Sequence, residues 1–355
     1  MSFDISEPPP LLTANLPGIG GRIKAQVEDF EVEEIPAYEP CGSGDHLFLW
    51  IEKRGMGAEY FTRQVGRRLS IPNGEIGMAG LKDRHAVTRQ WISVPASAEE
   101  HVGQLEGDGI HVLKISRHTN KLKSGHLHGN RFRILVREPD AASAERLPPI
   151  LDRLRAEGLP NYYGSQRFGR NGETATLGME MLTGAKPGVR NSFLRKLALS
   201  AAQSILFNSY LGRRLTGGLM RRVLPGDVMC KWPAGGMFVA TDTSTEQARF
   251  DARETVHAGP MFGRKTFAAG GEAAAREEIV LSGAGLTASS FNGFGKLLQG
   301  TRRHNLVYCD DLAAQFESDG VRLAFSLPAG SYATVLLSEI MKSELAGDDA
   351  ANTLE

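Results

Sequence analysis

Near its carboxyl end the chain reads Val321-Arg322-Leu323-Ala324-Phe325-Ser326-Leu327. It then passes through Pro328-Ala329-Gly330 into a helical pattern that closes at Met341. Apolar residues at every second place predict a half-buried strand. A lone strand and helix, about 321 to 345, bury too little apolar surface to fold by themselves. They are expected to complete a sheet begun in the amino-terminal part, leaving about 160 to 307 between the two halves of one unit. A length of 355 residues agrees with two domains, and a hydrophobic share of 41% is ample for their cores.

The amino-terminal part carries patterns of the required kind. Residues 1–18 are Pro-rich and expected to be extended, with a first strand over Arg22–Val27. Phe30 and Val32 then alternate with acids, and Leu47, Leu49 and Ile51 share one face of a strand over Asp45–Lys53. Phe61, Val65 and Leu69 recur every fourth residue, which predicts a helix over Ala58–Leu69. Arg63, Arg67 and Arg68 fall off that stripe, open to phosphate or to solvent. A short helix is expected near Glu99–Leu105 and a long one over Arg190–Leu215, with Phe193 among its apolar positions. Arg213, Arg214, Arg221 and Arg222 read as a basic patch, and the acidic residues past Ala346 as a frayed end.

Between two strand-like runs, Ile76–Met78 and Trp91–Val94, lies Gly80-Leu81-Lys82-Asp83-Arg84-His85-Ala86-Val87-Thr88-Arg89-Gln90. Asp83 is the only carboxylate from Ile76 to Ala98, with Lys82, Arg84 and Arg89 around it. Opposite charge favours an ionised carboxylate, which suits a nucleophile or general base better than a general acid. A solvated turn capped by its aspartate accounts for the same residues.

Charge along the chain is uneven although its formal sum is zero. His111–Arg137 holds seven Lys or Arg, four His and no acid, within two predicted strands around a loop. A run of one sign is an electrostatic footprint for a polyanion. The histidine spacing fits no zinc pattern, so no metal is expected. Asn161-Tyr162-Tyr163-Gly164-Ser165-Gln166-Arg167-Phe168-Gly169-Arg170 interleaves aromatic rings with guanidinium groups, which suits RNA stacking and phosphate contact as well as a joint between domains. Cys41, Cys230 and Cys309 stand far apart and read as free thiols of a reducing compartment. The amino-terminal residues lack a signal-peptide pattern, and no apolar run approaches the roughly 20 residues of a membrane helix. A cytoplasmic protein without membrane contact is expected.

The run Gly80–Trp91 resembles the active-site segment of the TruD family of tRNA pseudouridine synthases, and Asp83 matches that family's catalytic aspartate. Five further segments resemble the family's motifs in its own order. Lys24 precedes Glu28-Asp29-Phe30, and Gly129-Asn130-Arg131-Phe132 follows. Asn161–Gly169 carries Tyr163 in place of a common Phe, and Ala258–Gly263 carries Ala258 in place of a Ser. Leu327–Thr334 carries Tyr332 where a Phe is common. The similarity runs over about residues 20 to 341.

The resemblance implies an α+β fold. Its catalytic domain, residues 1–159 with 308–355, has a mainly antiparallel sheet flanked by helices, and an inserted α/β TRUD domain spans 160–307. It implies catalysis by Asp83 and places Lys24 in the active-site region. Phe30 would lie against the substrate, Asn130 and Phe132 on the target uridine, and Tyr332 in contact with it. For Phe30 and Phe132 core packing remains an open reading, and for Lys24 a solvated strand position. The implied target is uridine 13 of tRNA. The implied reaction breaks the N1–C1′ bond and rejoins the base through C5, so no cofactor is expected, and no obligatory protein partner.

Two other classes fit part of the pattern. A non-catalytic RNA-binding protein would show the same basic run and aromatics, but would leave Asp83 without a purpose. A glycosidase would need a second catalytic carboxyl group, and the central loop offers only Asp83.

Overall fold

In a computed structural model, which describes residues 7–186 and 188–343, the amino-terminal alternations become one sheet. Its strands there are β1 (Phe30–Pro36), β2 (His46–Arg54), β3 (Gly77–Met78), β4 (Val87–Pro95), β5 (Ile110–His118) and β6 (Leu127–Arg137), with helix α1 (Ala58–Leu69) between β2 and β3. Helix α2 (Ser143–Glu157) leads out through β7 (Leu159–Pro160). Helices α3 (Glu173–Thr183) and α4 (Ser192–Thr216), strands β8 (Val228–Lys231) and β9 (Met237–Val239), helix α5 (Thr243–Asp251), strand β10 (Thr255–Met261), helix α6 (Gly271–Gly283) and strand β11 (Thr301–His304) follow, with their own four-stranded sheet. The chain returns through β12 (Leu306–Val307), which pairs with β7. It ends in β13 (Ala313–Glu317), β14 (Gly320–Pro328) and α7 (Ala333–Met341).

The large sheet runs β13-β14-β6-β1-β4-β2-β5, with β3 on β4. All its pairs are antiparallel except β1 with β4. The last strand of the chain therefore inserts beside β6, where Phe325 faces Phe132 and Leu327 faces Asn130. The cause is the alternation itself. Val321, Leu323, Phe325 and Leu327 are all buried, and each contributes about 1.5–3 kcal/mol only because β6 and the helices α2 and α7 supply the apolar cover. On the same side of the sheet α1 sets Phe61, Val65 and Leu69 against Leu47, Leu49 and Ile51. Helix α7 is also tied to the amino-terminal segment. Buried Glu339 accepts from the backbone of Leu12 at 2.7 Å and Thr13 at 2.9 Å.

Several expectations are corrected. No strand runs over Arg22–Val27. Arg22 makes one isolated bridge to Arg137, Lys24 turns to φ +57°, and Val27–Asp29 is a 3-10 turn closed by Asp29 accepting from Gln26 N. A left-handed residue cannot continue an extended run. Residues 11–16 contain turns and are not simply extended, because the segment bends to meet Glu339. The helix near Glu99 is 3-10 throughout, Ala96–Leu105. Phe193 is 60% exposed, since the first turn of α4 precedes the buried stretch that starts at Ala198. The acidic end past Ala346 lies outside the described residues. No described helix is long and apolar enough to cross a membrane.

The second sheet buries a histidine. His257 of β10 has no exposed surface, donates from Nε2 to Met220 O at 2.9 Å, accepts at Nδ1 from Asn305 Nδ2 at 2.9 Å, and stacks on Phe250. Burial and the neighbouring Arg214 push its pKa down to about 3, against the pull of Asp227. Unfolded, the ring titrates near 6.5, so between those values the unfolded chain holds more protons. The stability linked to keeping the ring neutral, about 5 kcal/mol, is complete above pH 6.5 and lost as pH falls toward 3. Acid titration of the melting temperature should show this loss, and His257→Gln should flatten it. Parallel curves for parent and variant would assign the acid sensitivity elsewhere.

Candidate active site

The loop between β3 and β4 is held from beneath by two buried lysines. Within it Lys82 and Ala86 point inward, while Leu81, Asp83, Arg84 and His85 are exposed. Lys82 Nζ donates to Glu34 Oε2 at 2.8 Å, with side chains 3% and 0% exposed. Burial pushes the Glu34 carboxyl up, and Lys82 pulls it back. From β2, Lys53 Nζ donates to Met56 O at 2.6 Å and to the Asp83 carbonyl at 3.3 Å. Burial brings the Lys53 ammonium down to about 8, with Asp83 opposing. Unpairing a buried charge costs several kcal/mol, so these contacts hold the loop backbone in one place.

The Asp83 carboxylate stands on the outer side of that anchorage, with 47% of its side chain exposed. Lys24 Nζ lies 3.8 Å from Asp83 Oδ2 and 4.5 Å from the centroid of the Phe30 ring. Its left-handed backbone is a cost of about 1 kcal/mol, incurred where the side chain must reach the loop. A pair this exposed contributes little to stability, and its effect is orientation. The expectation that Lys82 and Arg89 stand beside Asp83 is corrected. Lys82 is committed to Glu34, and Arg89 to Glu52 and Glu31. The lysines that face the loop are Lys24 and Lys53, brought in by chain folding. Lys53 and Glu34 were missed by the sequence reading. Both continue an inward-facing parity, Lys53 after Leu47, Leu49 and Ile51, and Glu34 after Phe30 and Val32, so a charge at a core position was the available signal.

Register places the remaining residues. Lys53, Thr88, Val32, Phe132 and Phe325 form one row across β2, β4, β1, β6 and β14. Laterally paired residues share a face, so this row lies on the side that carries the helices and the loop. The Phe132 ring, 7% exposed, stacks on Phe325 with centroids 5.2 Å apart and meets Phe30 edge-on at 6.3 Å. Phe30 itself is 1% exposed, so in this conformation it supports Lys24 and Phe132 from below. Asn130 stands one step along β6, between Glu34 and Leu327, and its buried Oδ1 has no hydrogen-bond partner. Tyr332 follows the end of β14 and lies edge-on to Tyr163. A separate cavity of about 300 Å³ opens beside Gly129 and Leu327, lined also by His128, Tyr308, Asp310 and Asp311 and not by Asp83.

Four of the seven cations in the basic run His111–Arg137 meet acids that folding brings beside them. Arg131 meets Glu33 at 2.8 Å, Arg137 meets Asp29 at 2.7 Å, Lys114 meets Glu39 at 3.9 Å, and Arg117 pairs with Glu99. Arg131 and Arg133 alternate to the face away from Phe132. His126 bonds Tyr38 and His118 stacks on it, and no group of three metal-ligating side chains occurs among the described residues. The supposed patch of residues 213 to 222 also divides, because Arg214 is buried on Asp227.

Comparison with known proteins gives a consistent picture. The family model described as tRNA pseudouridine synthase D (TruD) matches residues 10–188 and 188–340. A tRNA pseudouridine synthase D of Anaeromyxobacter sp. strain Fw109-5 is 43% identical over 339 residues, covering 94% of this chain and 96% of its own. One of Thermus thermophilus is 42% identical over 336 residues, covering 94% and 92%. In fold, a crystal structure described as tRNA pseudouridine synthase D of Methanosarcina mazei superposes with a TM-score of 0.78 over 96% of this chain and 97% of its own, at 24% identity.

Proposed function

The chain belongs to the tRNA pseudouridine synthase D family, and on that premise we propose that it isomerises uridine 13 of tRNA to pseudouridine with Asp83 as the catalytic carboxylate. Membership makes it a tRNA pseudouridine synthase, an isomerase. One observation carries the assignment to Asp83: it is a half-exposed carboxylate facing Lys24, on a loop whose backbone Lys53 and Lys82 hold from the buried side.

A uridine within folded tRNA must be turned out before its glycosidic bond can be reached. Asn130, whose Oδ1 is unpartnered, orients the uracil edge, while Phe132 and Tyr332 offer aromatic surface to the base. Phe30 acts through Phe132 and Lys24. Asp83 initiates cleavage of N1–C1′, the base rotates, C5 bonds to C1′, and the C5 hydrogen leaves as a proton. Every atom but that exchanged proton stays in the product, so the reaction needs no cofactor.

The large sheet takes all its strands from 30–137 and 313–328, and the second sheet takes its strands from 228–304. That grouping supports reading 1–159 with 308–355 as the catalytic domain and 160–307 as an insertion. The partner is tRNA, the place of action the cytoplasm, and no further protein is required.

The test uses tRNA transcript tritiated at uridine C5. The purified protein should release one equivalent of tritium per tRNA without added cofactor, and a transcript with cytidine at position 13 should release none. A protein that binds the transcript and releases no tritium would end the catalytic reading, and release from the cytidine transcript would move the target.

A further inference from the structure

Most arginines in this chain meet a carboxylate, and two at its inner corner do not. Arg303, in β11, lies under the turn that follows β14. Its Nε donates to Asn161 O at 3.0 Å, and its Nη2 donates to Asn161 Oδ1 at 2.7 Å and to Gly330 O at 2.8 Å. Its guanidinium sits 4.1 Å from the centroid of Tyr163 and 5.6 Å from that of Phe207. Arg167 approaches the same Tyr163 ring at 5.8 Å, and its own bonds go to the hydroxyls of Ser200 and Ser204. Among the described residues neither has a carboxylate within ion-pair distance. The contrast with the neighbouring Arg302 is direct, since that side chain alternates away and pairs with Glu277.

Two partly buried cations around one ring repel each other, and carbonyls and an aromatic face only partly offset the loss of water. Tyr332 closes the corner, with its ring centroid 5.8 Å from that of Tyr163. Burial raises its phenol, and the charges of the two arginines oppose that. The corner is continuous with the active-site floor: Gly330, bound by Arg303, lies three residues beyond Leu327, which faces Asn130.

We propose that Arg167 and Arg303 form a phosphate clamp that takes a backbone phosphodiester of the tRNA beside the extruded nucleotide. Guanidinium groups suit this task because they keep their charge at all working pH. In both side chains Nε and Nη2 fix the orientation, while Nη1 carries no hydrogen bond among the described residues. Tyr163 meets both guanidinium groups, and Tyr332 backs that ring. The clamp rests on the tRNA reading above, and it extends that reading from the base to the strand that carries it.

The test is the salt dependence of binding to unmodified tRNA transcript, measured for the parent, Arg167→Gln and Arg303→Gln. Each lost phosphate contact should lower the slope of log K against log salt by about 0.7–0.9 and weaken binding several-fold at physiological salt. Arg303→Gln also removes bonds to Asn161 and Gly330, so melting temperature is recorded for both. Arg167→Gln, which gives up two serine contacts and the approach to the Tyr163 ring, serves if the other variant fails to fold. Folded variants with the parental slope overturn the clamp, whatever their stability. A free-anion site would instead show inorganic phosphate, at constant ionic strength, raising the parent's melting temperature but not that of Arg167→Gln, with unchanged RNA slopes. That result also overturns the proposal. Tritium release by the parent separates the two claims. Release with unchanged slopes removes the clamp alone, and lowered slopes without release remove the catalytic reading alone.

Discussion

Asp83→Asn is expected to bind tRNA transcript as the parent does and to lose pseudouridine formation by about a thousandfold or more. The amide has nearly the volume of the carboxylate and can neither attack carbon nor accept a proton. Its pair with Lys24 spans 3.8 Å at a half-exposed position, so removing the charge should move stability by less than about 1 kcal/mol. The backbone anchorage by Lys53 goes to the Asp83 carbonyl, which the substitution leaves intact. Single-turnover tritium release and melting temperature on one preparation decide the matter. Turnover within tenfold of the parent would remove Asp83 from the chemistry.

Asp227→Asn is expected to produce the largest loss of stability, about 3–5 kcal/mol, because it leaves a buried guanidinium without its counter-charge. Arg214 and Asp227 are each 2% exposed and joined by two bonds, of 2.8 and 2.6 Å. Asp227 also accepts from Leu224 N, and Arg214 donates to Arg222 O and Tyr210. Burial alone would raise the Asp227 carboxyl, but Arg214 outweighs it and holds the group below the usual carboxylate range. The pair's contribution is therefore complete above that range and lost as pH falls through the lowered pKa. Denaturant midpoints measure the effect. Arg214→Met combined with Asp227→Leu should recover much of the loss, since no charge is then left buried. A single-variant loss below about 1 kcal/mol would show that the pair does not brace α4 against β8.

The elements that sequence predicts best are those whose periodicity is strong and local. Helix α1 spans the residues that its four-residue stripe predicts, and β14 spans the final alternation with one residue added at each end. Among the charged residues, Asp83 stands out in the sequence because it is alone in its run. Lys53 and Glu34 were legible in principle, as charges at inward-facing positions, but nothing local says which partner makes such a charge tolerable. Phe30 and Phe132 were open between packing and contact. The register Val32–Phe132–Phe325 explains why both rings are so deeply packed.

By itself the sequence determined the elements with strong periodicity, that the last strand must join the first sheet, and, by six ordered segments, the family. Those properties depend on residues close in the chain or on patterns repeated along it. Tertiary structure decided which charges meet. Four of the seven cations in the acid-free run from His111 to Arg137 meet Glu33, Asp29, Glu39 and Glu99, which strand pairing and the adjoining turns bring beside them. Arg214, read as surface charge, became an internal strut, while Arg303 was left without a carboxylate. Electrostatic interaction depends on distance and burial, and both are set by residues far apart in sequence. The cations around Asp83 are Lys24 and Lys53 for that reason.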